Sequence, residues 1–194
     1  MKAFGSFVGM GLFALAALVG SAGANSITVD FGSPTVTPVG SNFRWDYNIS
    51  VSANAQVEAG DGFTIYDFAG YTGTFTIPTG WSLVSTNTNA PDYLFETRAA
   101  TDNSSVTDLI LSYSGATTGA ALTPTSLGKF SFTSIYDQKV NGFLEGLDHS
   151  IAPHLAQSNN FNTQVPTAVP VPAAIWGGLG LLSALFTARV SRRK

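Results

Sequence analysis

The sequence predicts an all-β chain, an antiparallel β-sandwich of the jelly-roll or immunoglobulin-like kind, and three observations predict it. Large apolar residues (Phe43, Trp45, Tyr47, Ile49, Val51) alternate with polar ones (Arg44, Asp46, Asn48, Ser50), the period-two pattern of a strand with one buried face. Shorter runs of β-branched and aromatic residues recur along the chain, divided by Gly, Pro, Asn and Asp. A sustained apolar pattern at helical spacing is missing between residues 25 and 165.

Taken in order, strands are expected at 27–31, 43–51, 63–68, 73–77, 82–86, 93–97, 107–113 and 128–136. Gly40-Ser41-Asn42, Pro78-Thr79-Gly80 and Asn89-Ala90-Pro91-Asp92 are turn clusters between them. The stretch Glu58-Ala59-Gly60-Asp61-Gly62 reads as a tight connection in which glycine takes any positive φ. Residues 140–155 carry no clear period and are expected to form a short helix or an irregular edge. From Gln157 to Gln164 the chain is polar, so it reads as the last edge of the domain and then a semi-extended linker. The expected division is therefore a leader at 1–24, a β-sandwich ectodomain at 25–160, a linker at 161–168 and a tail at 169–194.

The two ends have their own chemistry. Lys2, the apolar run 4–19 and the small residues Ala22-Gly23-Ala24 form a secretory signal peptide, with the mature chain expected to begin at Asn25. At the other end, residues 173–188 are uncharged and apolar and are followed by Arg189, Arg192, Arg193 and Lys194. As a helix this run measures about 24 Å, a short single transmembrane span against a hydrocarbon core of roughly 30 Å. The terminal cations place that end in the cytoplasm by the positive-inside rule.

Signal, ectodomain, proline turn, apolar span and basic terminus together resemble PEP-CTERM proteins of Gram-negative bacteria. The segment Val169-Pro170-Val171-Pro172-Ala173 is similar to the VPLPA variant of that sorting tail, with Val171 in place of the usual Leu and without a Glu between the prolines. The resemblance implies that signal peptidase and an exosortase process the chain. It also implies that the inner membrane holds the chain transiently, before delivery to the cell surface or extracellular matrix, where polysaccharide is a potential partner. The resemblance is confined to the tail and implies no activity for the ectodomain.

All twelve acidic residues lie in the ectodomain, with only Arg44, Arg98, Lys129 and Lys139 against them, a net charge of −8 that the formal −3 of the whole chain conceals. Such a domain repels nucleic acid and anionic lipid, which argues against a nucleic-acid partner, and suits cations or neutral ligands. The chain contains no cysteine, so packing and hydrogen bonds alone hold the fold, and thiol catalysis and cysteine metal sites are excluded.

The first candidate chemistry lies in oxygen-rich turns. Glu58, Asp61 and Asp67 fall close together, as do Asp102, Asn103, Ser104, Ser105 and Asp108. Asp61, Asp67, Asp102 and Asp108 are the calcium candidates, although the spacing is not that of an EF-hand and local turn roles stand beside that reading. No other cofactor is expected. Asp148-His149 and His154 suit a metal or a general base in residue type but not in spacing, and read as loop residues. Trp81, Tyr71 and Tyr93 are candidates for stacking on sugar rings, against an ordinary role in the core. No residue is assigned a catalytic role, and the expected function is a structural or binding module. Two alternatives stand open: a secreted polysaccharide-active enzyme using acids near Glu58 to Asp67, and an unprocessed single-pass membrane protein.

Overall fold

A computed structural model describes residues 27–87, 102–119 and 121–168. Among these residues, the strands are β1 (Ile27–Val29), β2 (Thr35–Val39), β3 (Asn42–Val51), β4 (Ala55–Val57), β5 (Gly62–Ile65) and β6 (Tyr71–Thr76). They continue with β7 (Trp81–Thr86), β8 (Asp108–Tyr113), β9 (Thr118–Gly119), β10 (Thr125–Ser134), β11 (Gln138–Ser150) and β12 (Ala156–Thr167). They form two sheets, and all the pairings are antiparallel. The first has the order β1–β3–β10–β6, with β2 on the edge of β3 beyond β1. The second runs β7–β8–β5–β11, with β12 along one edge of β11, β5 and β4 in tandem along the other, and β9 on β4.

The two sheets pack face to face as a β-sandwich. Trp45, Tyr47, Ile49 and Val51 project from β3 into the core, as their alternation predicts, beside Phe130 and Phe132 of β10. Phe63 and Ile65 of β5, Leu109 and Leu111 of β8 and Leu144 of β11 meet them from the other sheet. Each large side chain so buried contributes about 1.5–3 kcal/mol. Aromatic rings supply much of the contact: Phe68 meets Trp45, Tyr71 and Phe132 edge to face at 6.1, 6.0 and 5.8 Å between centroids. The Tyr47 hydroxyl donates to the Gln164 carbonyl at 2.8 Å, and the Trp45 indole N–H donates to the Tyr136 carbonyl at 3.0 Å.

The structure departs from the expected layout in four places. Residues 140–155 hold neither a helix nor an irregular edge; most of them belong to β11, the longest strand. Its glycines Gly142 and Gly146 and polar Glu145, Asp148 and His149 break the apolar rhythm, yet the alternate residues from Gly142 to Ser150 are buried. The expected linker 161–168 is strand through Thr167, paired with β11 from Thr167↔Gln138 to Ala156↔His149, and Val165 is a core residue. β2 was hidden by Pro38, which an edge strand tolerates because its missing N–H need not serve a neighbour. Asp46, expected to face solvent, is buried beside Arg44 at 3.0 Å and Lys129 at 3.8 Å.

Among the described residues no helix is long and apolar enough to cross a membrane. The expected leader with Ala22, Ala24 and Asn25, the strand at 93–97, and the tail with its span at 173–188 lie outside the described residues.

Candidate functional site

The acidic candidates resolve into two clusters. In the first, Asp67, Asp102 and Asp108 each offer a carboxylate oxygen, and these oxygens all lie within 4.8 Å of one another. Oxygens bound to one calcium ion at 2.3–2.6 Å lie within about 5 Å of each other, so the spacing fits the inner part of such a shell. Asp108 begins β8 and is fully buried; Asp67 follows β5 and adopts a left-handed φ of 57°, which a short polar side chain tolerates better than most. Backbone groups lock the arrangement. The Asp67 N–H donates to Asp108 Oδ1 at 3.0 Å, the Asn103 N–H to Asp67 Oδ1 at 3.1 Å, and the Phe68 N–H to the Thr107 carbonyl at 2.7 Å. Asn103 accepts from the Ser105 N–H at 3.1 Å, the local side-chain turn its sequence suggested.

The second cluster lies at the end of the sandwich where β4 turns into β5 and β11 turns into β12. His149 is placed there by β11, where it pairs with Gln56 of β4 and Ala156 of β12. Its Nδ1 sits 3.0 Å from Asp61 Oδ1 and 3.4 Å from Glu58 Oε1. His154, in the turn before β12, stacks on the His149 ring at 5.0 Å and 20°, and its Nε2 is 3.2 Å from Glu58 Oε2. The tight turn expected at 58–62 is what presents the two acids. The Asp61 N–H donates to the Glu58 carbonyl at 3.0 Å, and the Glu58 N–H returns to Asp61 Oδ2 at 2.9 Å, with Gly60 at a φ of 104°.

Behind this pair stands Asp148. The register Leu147↔Gly62 puts it opposite Asp61, and it is 1% exposed. Burial, and then the charge of Asp61, push its carboxyl up to about 7, with His149 and a hydrogen bond from the Ile27 backbone N–H pulling the other way. Burial likewise raises Asp61, offset by the Glu58 backbone N–H and by His149.

The four calcium candidates thus do not form one site: three converge, and Asp61 belongs with the histidines. Glu58 and Asp67, neighbours in sequence, also fall in different clusters. His149 is not a loop residue, whereas His154 is in a turn and half exposed. Asp148 was the functional candidate least visible beforehand, because nothing in a linear reading places it against Asp61.

No protein-family profile, curated protein or solved structure matches this chain. Of the aromatic candidates, Trp81 packs on Phe63, Phe130 and Tyr113 at centroid distances of 5.3, 5.1 and 5.0 Å, and Tyr71 packs on Phe68. Both serve the core, and Tyr93 lies outside the described residues.

Proposed function

We propose that this protein is an exported β-sandwich of the jelly-roll or immunoglobulin-like kind, sorted by its C-terminal segment and serving at the cell surface or in an extracellular matrix as a structural or binding module. The observation that carries the reading is the combination of a secretory leader at 1–24 with Val169-Pro170-Val171-Pro172-Ala173, an apolar run at 173–188 and the cations Arg189, Arg192, Arg193 and Lys194. The sandwich between them supports it. β12 runs to Thr167, so residues 168–172 are all that separate the folded domain from the apolar run. Fully extended, they reach about 17 Å. In this reading the domain waits close against the inner membrane until an exosortase cuts the tail, which frees it for the surface.

Binding is favoured over polysaccharide hydrolysis by the division of the acids. A hydrolase of that type sets two carboxyl groups across a cleft, whereas Glu58 and Asp61 contact histidines and Asp67 joins Asp102 and Asp108. Calcium, if it serves the module, has its place at that triad.

Changing Pro170 and Pro172 together to Ala tests the sorting. The reading expects the variant to accumulate in the membrane fraction with its tail attached, and unchanged surface delivery and mass would refute it. Incubating the native protein with a panel of polysaccharides tests the rest: retention without turnover is expected, and turnover abolished by Asp61→Asn would establish the enzyme instead.

A further inference from the structure

The buried carboxyl of Asp148 also meets the start of β1. One edge of β1 pairs with β3, from Ile27↔Val51 to Val29↔Ile49. On its other edge, two side chains of the opposite sheet hold Ile27. The Ile27 N–H donates to the Asp148 carboxyl, and Asn159 Nδ2 donates to the Ile27 carbonyl at 3.1 Å. The Ile27 side chain is fully buried, and a Cβ on Gly146 of β11 would lie 3.0 Å from the Ile27 Cβ. The chain thus enters the sandwich wedged between β3 and β11.

Asp148 is 1% exposed, and its charge is poorly met. A carboxylate offers about four acceptor positions, and among the described residues the Ile27 N–H fills one. Two charged groups act on it: Asp61, from the turn between β4 and β5, opposes its ionisation, and the adjoining His149 on β11 favours it. Together with burial, the first prevails and holds the carboxyl at about 7. Glu58 adds a further acid beside Asp61. One more positive charge at this end of the sandwich would let Asp148 ionise at neutral pH.

The sequence has a source for that charge. In the export reading above, on which this inference rests, water cleaves the Ala24–Asn25 peptide bond, leaving a carboxylate on the leader and an ammonium group on Asn25. Asn25 stands two residues before Ile27, so its nitrogen lies within about 7 Å of the Ile27 nitrogen in any conformation. Successive backbone nitrogens of a turn can close on a single anion, so the ammonium group and the Ile27 N–H can share one carboxylate. Before cleavage the same nitrogen is an amide and carries no charge.

We propose that removal of the leader creates an ion pair between the α-ammonium group of Asn25 and the buried carboxylate of Asp148, locking β1 into the seam between the two sheets. The domain reaches its full stability once the leader is gone, so the first strand registers processing of the chain.

The test uses the native protein purified from cells. Its first residue is determined, and one portion is capped at the α-amine with cyanate, which leaves that nitrogen uncharged, and refolded from urea. Carboxyl-carbon NMR then follows Asp148 against pH. In the uncapped protein Asp148 should titrate about 1–3 pH units lower than in the capped protein, the effect of an opposite charge within a few ångströms. The α-amine should titrate above its ordinary range of about 7.7–8.0. Capping should lower the folding equilibrium constant at pH 7 about tenfold in the parent, as loss of a hydrogen bond to a charged group does, and should leave Asp148→Asn unaffected. If Asp148→Asn fails to fold, the two titrations decide. A chain beginning at Asn25 whose Asp148 titrates alike in both portions would overturn this inference and leave the export reading standing. A chain beginning at any other residue would overturn the inference together with the cleavage on which it rests.

Discussion

At the scale of single residues, Asp148 sets a pH dependence whose sign runs against the common one. Its folded pKa, about 7, lies above the ordinary aspartate value of 3.8, so the folded chain holds this proton more tightly than the unfolded chain does. The contribution is present in full below pH 3.8 and is lost as pH rises through about 7. The slope per proton is up to about 1.4 kcal/mol per pH unit. Asp61, raised by burial, acts in the same direction. Urea denaturation in chelator-containing buffer should therefore show Asp148→Asn flattening the stability loss between pH 4 and pH 7. A variant curve parallel to the parent's would contradict this. Tyr47 gives a second residue-scale prediction. Its hydroxyl ties β3 in one sheet to β12 in the other, so Tyr47→Phe should cost about 0.5–1.5 kcal/mol in the same measurement.

At the scale of elements, Gly62 is the position that holds the second cluster's scaffold together. It opens β5 directly after Asp61, and a Cβ there would meet the Leu111 carbonyl oxygen at 2.2 Å. Gly62→Ala has to push β5 from β8, and overpacking of this kind costs about 1–3 kcal/mol. Thermal melts should show that loss, and an unchanged melting temperature would mean that β5 and β8 do not approach so closely. β12 makes a similar test. Ending the chain after Asn160 removes the Val165 anchor and the Tyr47 partner at Gln164, and should cost far more than ending it after Ala168.

The strands that carry strong alternation, β3 above all, were legible in the sequence because one face had to be apolar. β11 and β12 were not, because their stability comes from twelve paired positions with each other rather than from side-chain pattern, and pairing leaves no mark on composition. The acids Asp67, Asp102 and Asp108 were visible in the sequence as turn residues, but in two separate turns, and their convergence was not. Asp67, Asp102 and Asp108 each occupy a turn or strand end of the kind acids favour, while the Asp61–His149 contact joins residues 88 positions apart and could be seen only in the fold.

At the scale of the whole molecule, all twelve acids lie between Asp30 and Asp148, while Arg189, Arg192, Arg193 and Lys194 gather at the basic end on which the proposed sorting rests. If the Asp67 triad holds calcium, excess calcium should raise the melting temperature of the native protein but not of Asp108→Asn. At a hundredfold excess over Kd the stabilisation would be about 2.7 kcal/mol. An equal response in both proteins would remove calcium from the triad. In the proposed function, export at one end and tail removal at the other bracket a folded binding module. The intact mass of the native protein, recovered separately from the cell surface and from membranes, tests it most directly. A surface species beginning at Asn25 and ending near Pro172 is the predicted result. A species found solely in membranes and still ending at Lys194 would contradict it, and would make this an anchored single-pass protein.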